Sequence, residues 1–356
     1  MTAIRVNIDY ESELFHGNGG GPGFNQTLEF FGFFLDERPV YTTKQYSADY
    51  LSYVHSVTGQ MPQTISSGDY LNWWGALKDR ELEKKLNSKM TSTELVIQNK
   101  WCEETYLLKT IKDFPSLEKD KSYIAKSPYE MSGRSFRLID PLKTEENFLW
   151  AEKALQKSPL IIEPFFNRKW DFSHYVFPDG KVICYENKVD EKFQYKGSVF
   201  HNEAQSVENL SSYASLEKSE WDKFQNALQV IIAHYKNSKM NSGFSIDSFV
   251  YEEDGKLKIR FLSEVNYRRT MGQTAFELGE RYGKEFSWRA LFITKSFGDF
   301  LKLQKTLSSL ENILILSPGD TRFDLFFLKA KNIEEARVLV KSLSSLLPSG
   351  QFPVEF

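Results

Sequence analysis

Two cysteines, Cys102 and Cys184, are all that 356 residues contain. They cannot build a disulfide framework, have no C-x-x-C spacing, and supply too few thiolates for a structural zinc site. Such cysteine poverty suits a reducing compartment, and a cytoplasmic location is expected. Excess positive charge is also lacking: 45 Lys and Arg against 48 Asp and Glu leave a net charge of −3, so no global basic field draws nucleic acid. No apolar run approaches the ~18–20 residues of a membrane span, and the opening Met-Thr-Ala-Ile-Arg-Val lacks the charged-then-apolar pattern of a secretion signal. Neither nucleic acid nor membrane is expected as a partner. There is no G-x-S-x-G elbow, and none of the five histidines sits in an H-E-x-x-H arrangement, which removes support for a serine or metallohydrolase. Glycine is scarce at 20 residues, and five of them fall in the heptad 17–23. That heptad matches neither G-x-G-x-x-G nor a P-loop and reads as a connection rather than a phosphate cradle.

What is present alternates between helical and extended patterns over a length that calls for two or three domains. Ile4 to Tyr10 alternates as a half-buried strand, and the aromatic run 24–34 reads as a buried helix. A charge-dense run over 78–90, without glycine or proline, predicts one continuous helix. Short β-rich runs follow at 123–126 and 160–163, with a hairpin of 172–176 and 181–185 turned by Asp179-Gly180. Thr144 is placed to cap a helix whose first turn is acidic. The clearest helix, 220–236, puts Trp221, Phe224, Leu228, Ile231, Ile232 and Tyr235 on one face. Beyond 296 the pattern runs helix, strand 312–316, turn, strand 323–328, and a helix from Asn332.

The strongest local signal is a second hairpin, 244–251 and 257–268, turned by Asp254-Gly255. With those two residues as the loop, paired positions sum to 509, so Asp247 faces Leu262 and has Glu264 as a diagonal neighbour at ~7–8 Å. Alternation sends Asp247, Glu264, Asn266 and Arg268 to one side. Two carboxylates and an amide carbonyl are hard oxygen donors that suit Mg²⁺, with Mn²⁺ able to replace it, rather than zinc. The bland rival is a solvated sheet face with Arg268 as an ion-pair partner.

Glu264-Val-Asn266-Tyr-Arg268, with Asp247 on the neighbouring strand, resembles the metal-binding end of the ATP-grasp superfamily. The other parts of that pattern follow in order upstream. Lys89 resembles the first nucleotide lysine and Lys126, ending a strand, the second. The segment 127–135 with Ser132-Gly133-Arg134 looks like the phosphate-covering loop, although it holds one glycine where the family usually has several. Ile161-Ile-Glu163-Pro-Phe165-Phe166 is similar to the adenine-holding hinge, and Asp171 stands where the ribose-binding acid is expected. On the residues alone, Glu163 should have either an adenine amino group or a structural donor, and phenylalanines such as these two are more often core than adenine-stacking. Lys188, Tyr195 and Lys196 lie where the family often presents substrate-facing groups.

The resemblance implies an α+β chain: an N-terminal α/β domain over 1–86, an ATP-grasp domain over 87–280 with lobes at 87–162 and 163–280, and a small C-terminal α+β extension over 281–356. ATP would lie between two antiparallel sheets, with Asp247, Glu264 and Asn266 on Mg²⁺ and with Lys126 and Arg268 as catalytic cations. The implied reaction joins a small-molecule or peptide carboxylate to an amine through an acyl phosphate, in an enzyme for which a homodimer is compatible. A nucleotide-binding protein without turnover and a phosphotransferase on the same scaffold are the alternatives.

Overall fold

The structure is a computed structural model and describes residues 2–17, 25–129, 136–191, 194–201, 216–238 and 242–346. The N-terminal unit holds β1 (Ala3–Arg5), α1 (Tyr10–His16), α2 (Phe31–Leu35), β2 (Val40–Tyr41), α3 (Ala48–Thr58), β3 (Thr64–Ile65) and β4 (Tyr70–Asn72). Its sheet runs β3-β2-β1-β4 with parallel neighbours. The strand expected through Tyr10 stops at Arg5. Asn7 turns the chain there: its side chain donates to the Gly75 carbonyl and accepts from the Trp74 amide, each at 2.9 Å, so Tyr10 enters α1 instead. Residues 26–30 of the aromatic run form turns and α2 follows from Phe31; Phe30, Phe31 and Phe34 are fully buried, as the pattern demanded.

The chain continues through α4 (Arg80–Asn87), α5 (Lys89–Gln98), β5 (Tyr106–Leu108), β6 (Tyr123–Lys126), β7 (Phe136–Ile139), α6 (Thr144–Leu155) and β8 (Leu160–Pro164). The helix predicted through 78–90 is broken at Ser88. That residue is extended, and its hydroxyl accepts from the Met90 amide at 3.1 Å, capping α5 and placing Lys89 at its first position. Thr144 is not a cap; it lies inside α6 and donates to the Pro141 carbonyl. Strands β5-β8-β6-β7 form a small antiparallel sheet.

A larger antiparallel sheet faces it. Its elements are β9 (Asn167–Val176), β10 (Val182–Val189), β11 (Tyr195–His201), α7 (Lys218–Lys236), β12 (Phe244–Glu253), β13 (Lys256–Asn266), α8 (Met271–Tyr282), β14 (Trp288–Lys295), α9 (Phe300–Leu307), β15 (Ile313–Ile315), β16 (Phe323–Ala330) and α10 (Ile333–Leu346). The eight strands run β13-β12-β9-β10-β11-β14-β16-β15. Helix α7 buries all six residues of its predicted stripe against one face, each worth roughly 1.5–3 kcal/mol.

Strands β14 to β16 therefore continue the large sheet, and a shared core packs them against Phe31, Phe34, Tyr50 and Val54 of the N-terminal unit. Tyr53 accepts from the Ile315 amide at 2.9 Å, and Lys44 meets Asp320 at 2.8 Å. The C-terminal residues thus seat the N-terminal unit over the large sheet, which fixes where α1 points. Of the three expected boundaries, residue 86 falls within α4, 162 within β8 and 280 within α8.

Glu29 lies at that seat, buried, accepting from the Thr42 hydroxyl. Burial raises its carboxyl to about 7, against the smaller pull of Thr42 and Lys44. A carboxyl raised in the folded chain stays protonated after the unfolded chain has ionised, so stability falls as pH rises from about 4.5 to about 7. Glu29→Gln should abolish that loss, on the order of 2–3 kcal/mol; thermal midpoints of both proteins across that pH range will show whether the slopes separate.

Candidate active site

Between the two antiparallel sheets lies a cavity of about 480 Å³, closed on a third side by the N-terminal unit. Lys89, Lys126, Glu163, Phe165, Phe166, Asp171, Asp247, Glu264, Asn266 and Arg268 all line it. Ser132, Gly133 and Arg134 lie outside the described residues. Tyr195 also reaches the wall, whereas Lys188 pairs with Glu186 at 2.5 Å and Lys196 with Asp190 at 3.1 Å.

The acidic pair is closer than a regular hairpin would make it. From the Asp254-Gly255 turn the pairs sum to 509 as far as Phe249 with Arg260; then Phe261, Leu262 and Ser263 bulge opposite Ser248 alone. The Ser248 hydroxyl donates to the Phe261 carbonyl at 2.8 Å and holds the bulge. Beyond it Asp247 pairs directly with Glu264, not with Leu262. A slip of two preserves the side on which every residue projects, so the shared face survives the change of partner.

Asp247 accepts from Ser173 at 2.7 Å and Ser245 at 3.0 Å on one oxygen, and from Asn266 at 2.7 Å on the other. Burial, and then the neighbouring Glu264 charge, push its carboxyl up to about 6. Glu264 behaves oppositely. Burial works against its charge, but Lys89 at 2.8 Å outweighs this and holds it at about 2. Two carboxylates side by side, plus an amide oxygen, form a hard-oxygen set facing a cavity, and their mutual repulsion is what a divalent cation relieves. The residues present fit Mg²⁺.

Around this pair runs a polar layer that sequence reasoning missed. Asn187 donates to Ser173 at 2.7 Å and accepts from Ser198 at 3.2 Å, and Ser198 meets the Tyr195 hydroxyl at 2.9 Å. Tyr185 bridges Ser245 and Thr270. Serines and asparagine at inward positions of three apolar strands, β9 to β11, were the available signal.

At the far end Glu163 has both oxygens occupied, by Lys126 on one and by Arg260 at 3.0 Å on the other. Although burial opposes it, the two cations hold its carboxyl below the ordinary value. The donor sought in an adenine amino group is thus supplied by the protein. Lys126 keeps two further N–H donors for an anion in the cavity. Phe165 is 38% exposed, while Phe166 packs on Phe249 and Tyr251. Asp171 pairs with Arg168; burial raises its carboxyl and that guanidinium offsets part of the rise.

Arg268 carries a contact that no local pattern announced. Glu11, from α1, accepts from its Nε at 2.8 Å and lies 2.7 Å from its Nη2, which also donates to Asn266 at 3.1 Å. No helix among the described residues is long and apolar enough to cross a membrane.

No protein-family model and no curated protein matches the sequence. Solved structures do match. N5-carboxyaminoimidazole synthetase from Staphylococcus aureus aligns over 97% of this chain and 99% of its own at 11% identity and a TM-score of 0.53. An ADP complex of N5-carboxyaminoimidazole ribonucleotide synthetase covers 86% and 84% at 10% identity and 0.51. A nucleotide complex of biotin carboxylase from Campylobacter jejuni covers 80% and 76% at 13% identity and 0.51. Two facing antiparallel sheets with a cavity between them, and superposition over most of both chains, lead to one conclusion: the chain has the ATP-grasp fold.

Proposed function

We propose that the protein is an ATP- and Mg²⁺-dependent ligase that joins a carboxylate to an amine through an acyl phosphate. The observation that carries this reading is the convergence of Asp247, Glu264 and Asn266 with Lys89, Lys126 and Arg268 on one cavity. Structures of similar fold include ADP and nucleotide complexes of a synthetase and a carboxylase, which supports the nucleotide assignment.

Lys126, Glu163, Phe165 and Asp171 would border the nucleoside, and Asp247, Glu264 and Asn266 would hold Mg²⁺ against the phosphates. When bound, the cation supplies Lewis-acid neutralisation of phosphate charge. The remaining work belongs to the chain. Lys89, paired with Glu264, and Arg268, bonded to Asn266, are fixed cations beside the carboxylate pair, preorganised to meet charge that develops on the transferred phosphoryl group. No protein nucleophile is required.

The test is ADP release with ATP, Mg²⁺ and pooled carboxylic acids, with hydroxylamine standing in for the amine. Acid-dependent ADP together with a hydroxamate supports the ligase. ADP with a phosphorylated, hydroxylamine-resistant product indicates a phosphotransferase, and ATP binding without acid-dependent ADP indicates a nucleotide-binding protein without turnover.

A further inference from the structure

The Glu11 and Arg268 pair lines the cavity where the N-terminal unit borders it, and its setting bears on what the cavity accepts. Glu11 is 6% exposed. Among the described lining residues from the N-terminal unit it is the single charged one, beside Ile8, Phe15, Leu28 and Trp74, with Met271 adjoining from α8. Beside those apolar residues this end holds the Glu11 and Arg268 pair, with the Lys89 and Glu264 pair within electrostatic reach, so its charges balance.

We propose that the acid substrate is an apolar α-amino acid, bound with its carboxylate on Arg268 and its ammonium on Glu11. This rests on the ligase reading above. The Glu11 carboxylate already occupies the Arg268 guanidinium through two donors, as a substrate carboxylate would. A plain anion entering here would displace Glu11 and leave a second carboxylate buried without a partner, which is costly. A zwitterion restores both partners, one with each end. A phosphorylated substrate meets a worse balance, because the cations near this end, Arg268 and Lys89, already face the carboxylates of Glu11 and Glu264.

Position then selects the reacting group. Arg268 is hydrogen-bonded to Asn266, which donates to Asp247, so a carboxylate on Arg268 is adjacent to the phosphate-holding groups. A carboxylate oxygen attacks the γ-phosphorus, the bond from phosphorus to the ADP oxygen breaks, and ADP leaves with the electron pair. The aminoacyl phosphate that remains loses phosphate when an amine attacks its carbonyl carbon and releases a proton. The ammonium, held at Glu11, points away from the phosphate toward the N-terminal unit.

The experiment compares hydroxamate formation from L-leucine, L-phenylalanine, 4-methylpentanoate and L-glutamate, using the whole protein, ATP, Mg²⁺ and hydroxylamine. L-Leucine or L-phenylalanine should react with a KM at least about tenfold below that of 4-methylpentanoate, which is leucine without its amine; tenfold is the effect of one modest charged contact. In Glu11→Gln that preference should shrink to about twofold while the KM for ATP stays unchanged, a pattern that mere loosening of α1 would not give. Equal use of 4-methylpentanoate and leucine by the wild type would overturn the proposal without recourse to any variant, and so would a preference that survives Glu11→Gln. Turnover of glutamate or another polar acid in place of leucine and phenylalanine overturns the substrate class while leaving the ligase standing. Absence of both hydroxamate and ADP with every acid removes the ligase reading and this proposal together.

Discussion

Glu264→Ala is expected to lower ATP turnover about a thousandfold or more, the equivalent of roughly 4 kcal/mol of transition-state stabilisation. Three consequences converge on this one residue. Glu264 is the more firmly anionic carboxylate of the pair, since Lys89 holds it at about 2 whereas Asp247 rises to about 6. Its loss removes half of the acidic pair expected to hold Mg²⁺. It also strips Lys89 of its 2.8 Å partner, so the lysine loses the anchor that fixes it at the cavity wall. Stability should change little, because the Glu264 side chain is 31% exposed and such pairs contribute at most about 1 kcal/mol. The measurement is Mg²⁺-dependent ATP binding and ADP release in the variant, with thermal unfolding as the check on folding. Activity within about threefold of wild type in a folded variant would remove Glu264 from the site.

The parts of this site that rest on side-chain parity were legible in the sequence, and the parts that rest on chain path were not. Asp247, Glu264 and Asn266 share a face whatever the register, because alternation along a strand is local. Which residue faces Asp247 was not local: it depends on the bulge that the Ser248 hydroxyl holds open, and composition does not announce a bulge. Lys89 was identified within a single long helix, yet its position follows from the break at Ser88, a capping residue concealed in a helix-favouring run. Glu163 was seen as a carboxylate needing a donor, but which donors it has was not local: one is Lys126 on the neighbouring strand and the other Arg260, 97 residues away. Glu11 was invisible for the same reason, being 257 residues from Arg268. The fold shows the same division. Helix α7 follows from its own stripe, whereas the union of β14 to β16 with the large sheet is a matter of long-range pairing that apolar alternation leaves open.

Arg260→Ala is expected to destabilise the protein by about 3–5 kcal/mol, since it removes one partner of a buried ion pair and leaves the other. Arg260 and Glu163 are 4% and 7% exposed in their side chains and meet at 3.0 Å. They belong to opposite sheets, β13 and β8, so the contact is a tie across the cavity, extended by the Arg260 guanidinium to Thr105 at 3.3 Å. Lys126 remains for Glu163 in the variant, which limits the loss but cannot restore the tie, because Lys126 lies on β6 beside β8 in the small sheet. The midpoint of thermal unfolding should fall on the order of 10 °C. The pH dependence fixes the cause. Because the two cations lower the Glu163 carboxyl in the folded chain, its contribution is present above the unfolded value of 4.5 and fades as pH drops below it. Wild type and variant should therefore converge in acid. If instead a constant gap persisted down to low pH, the loss would be one of packing by the Arg260 stem rather than of charge. Pairing Arg260→Met with Glu163→Gln separates these further: a double variant more stable than Arg260→Met alone would show that the uncompensated Glu163 charge causes the damage. Loss of the tie should also weaken ATP binding, since more of the neutralisation of Glu163 would then fall on Lys126, which would have less freedom to turn toward phosphate.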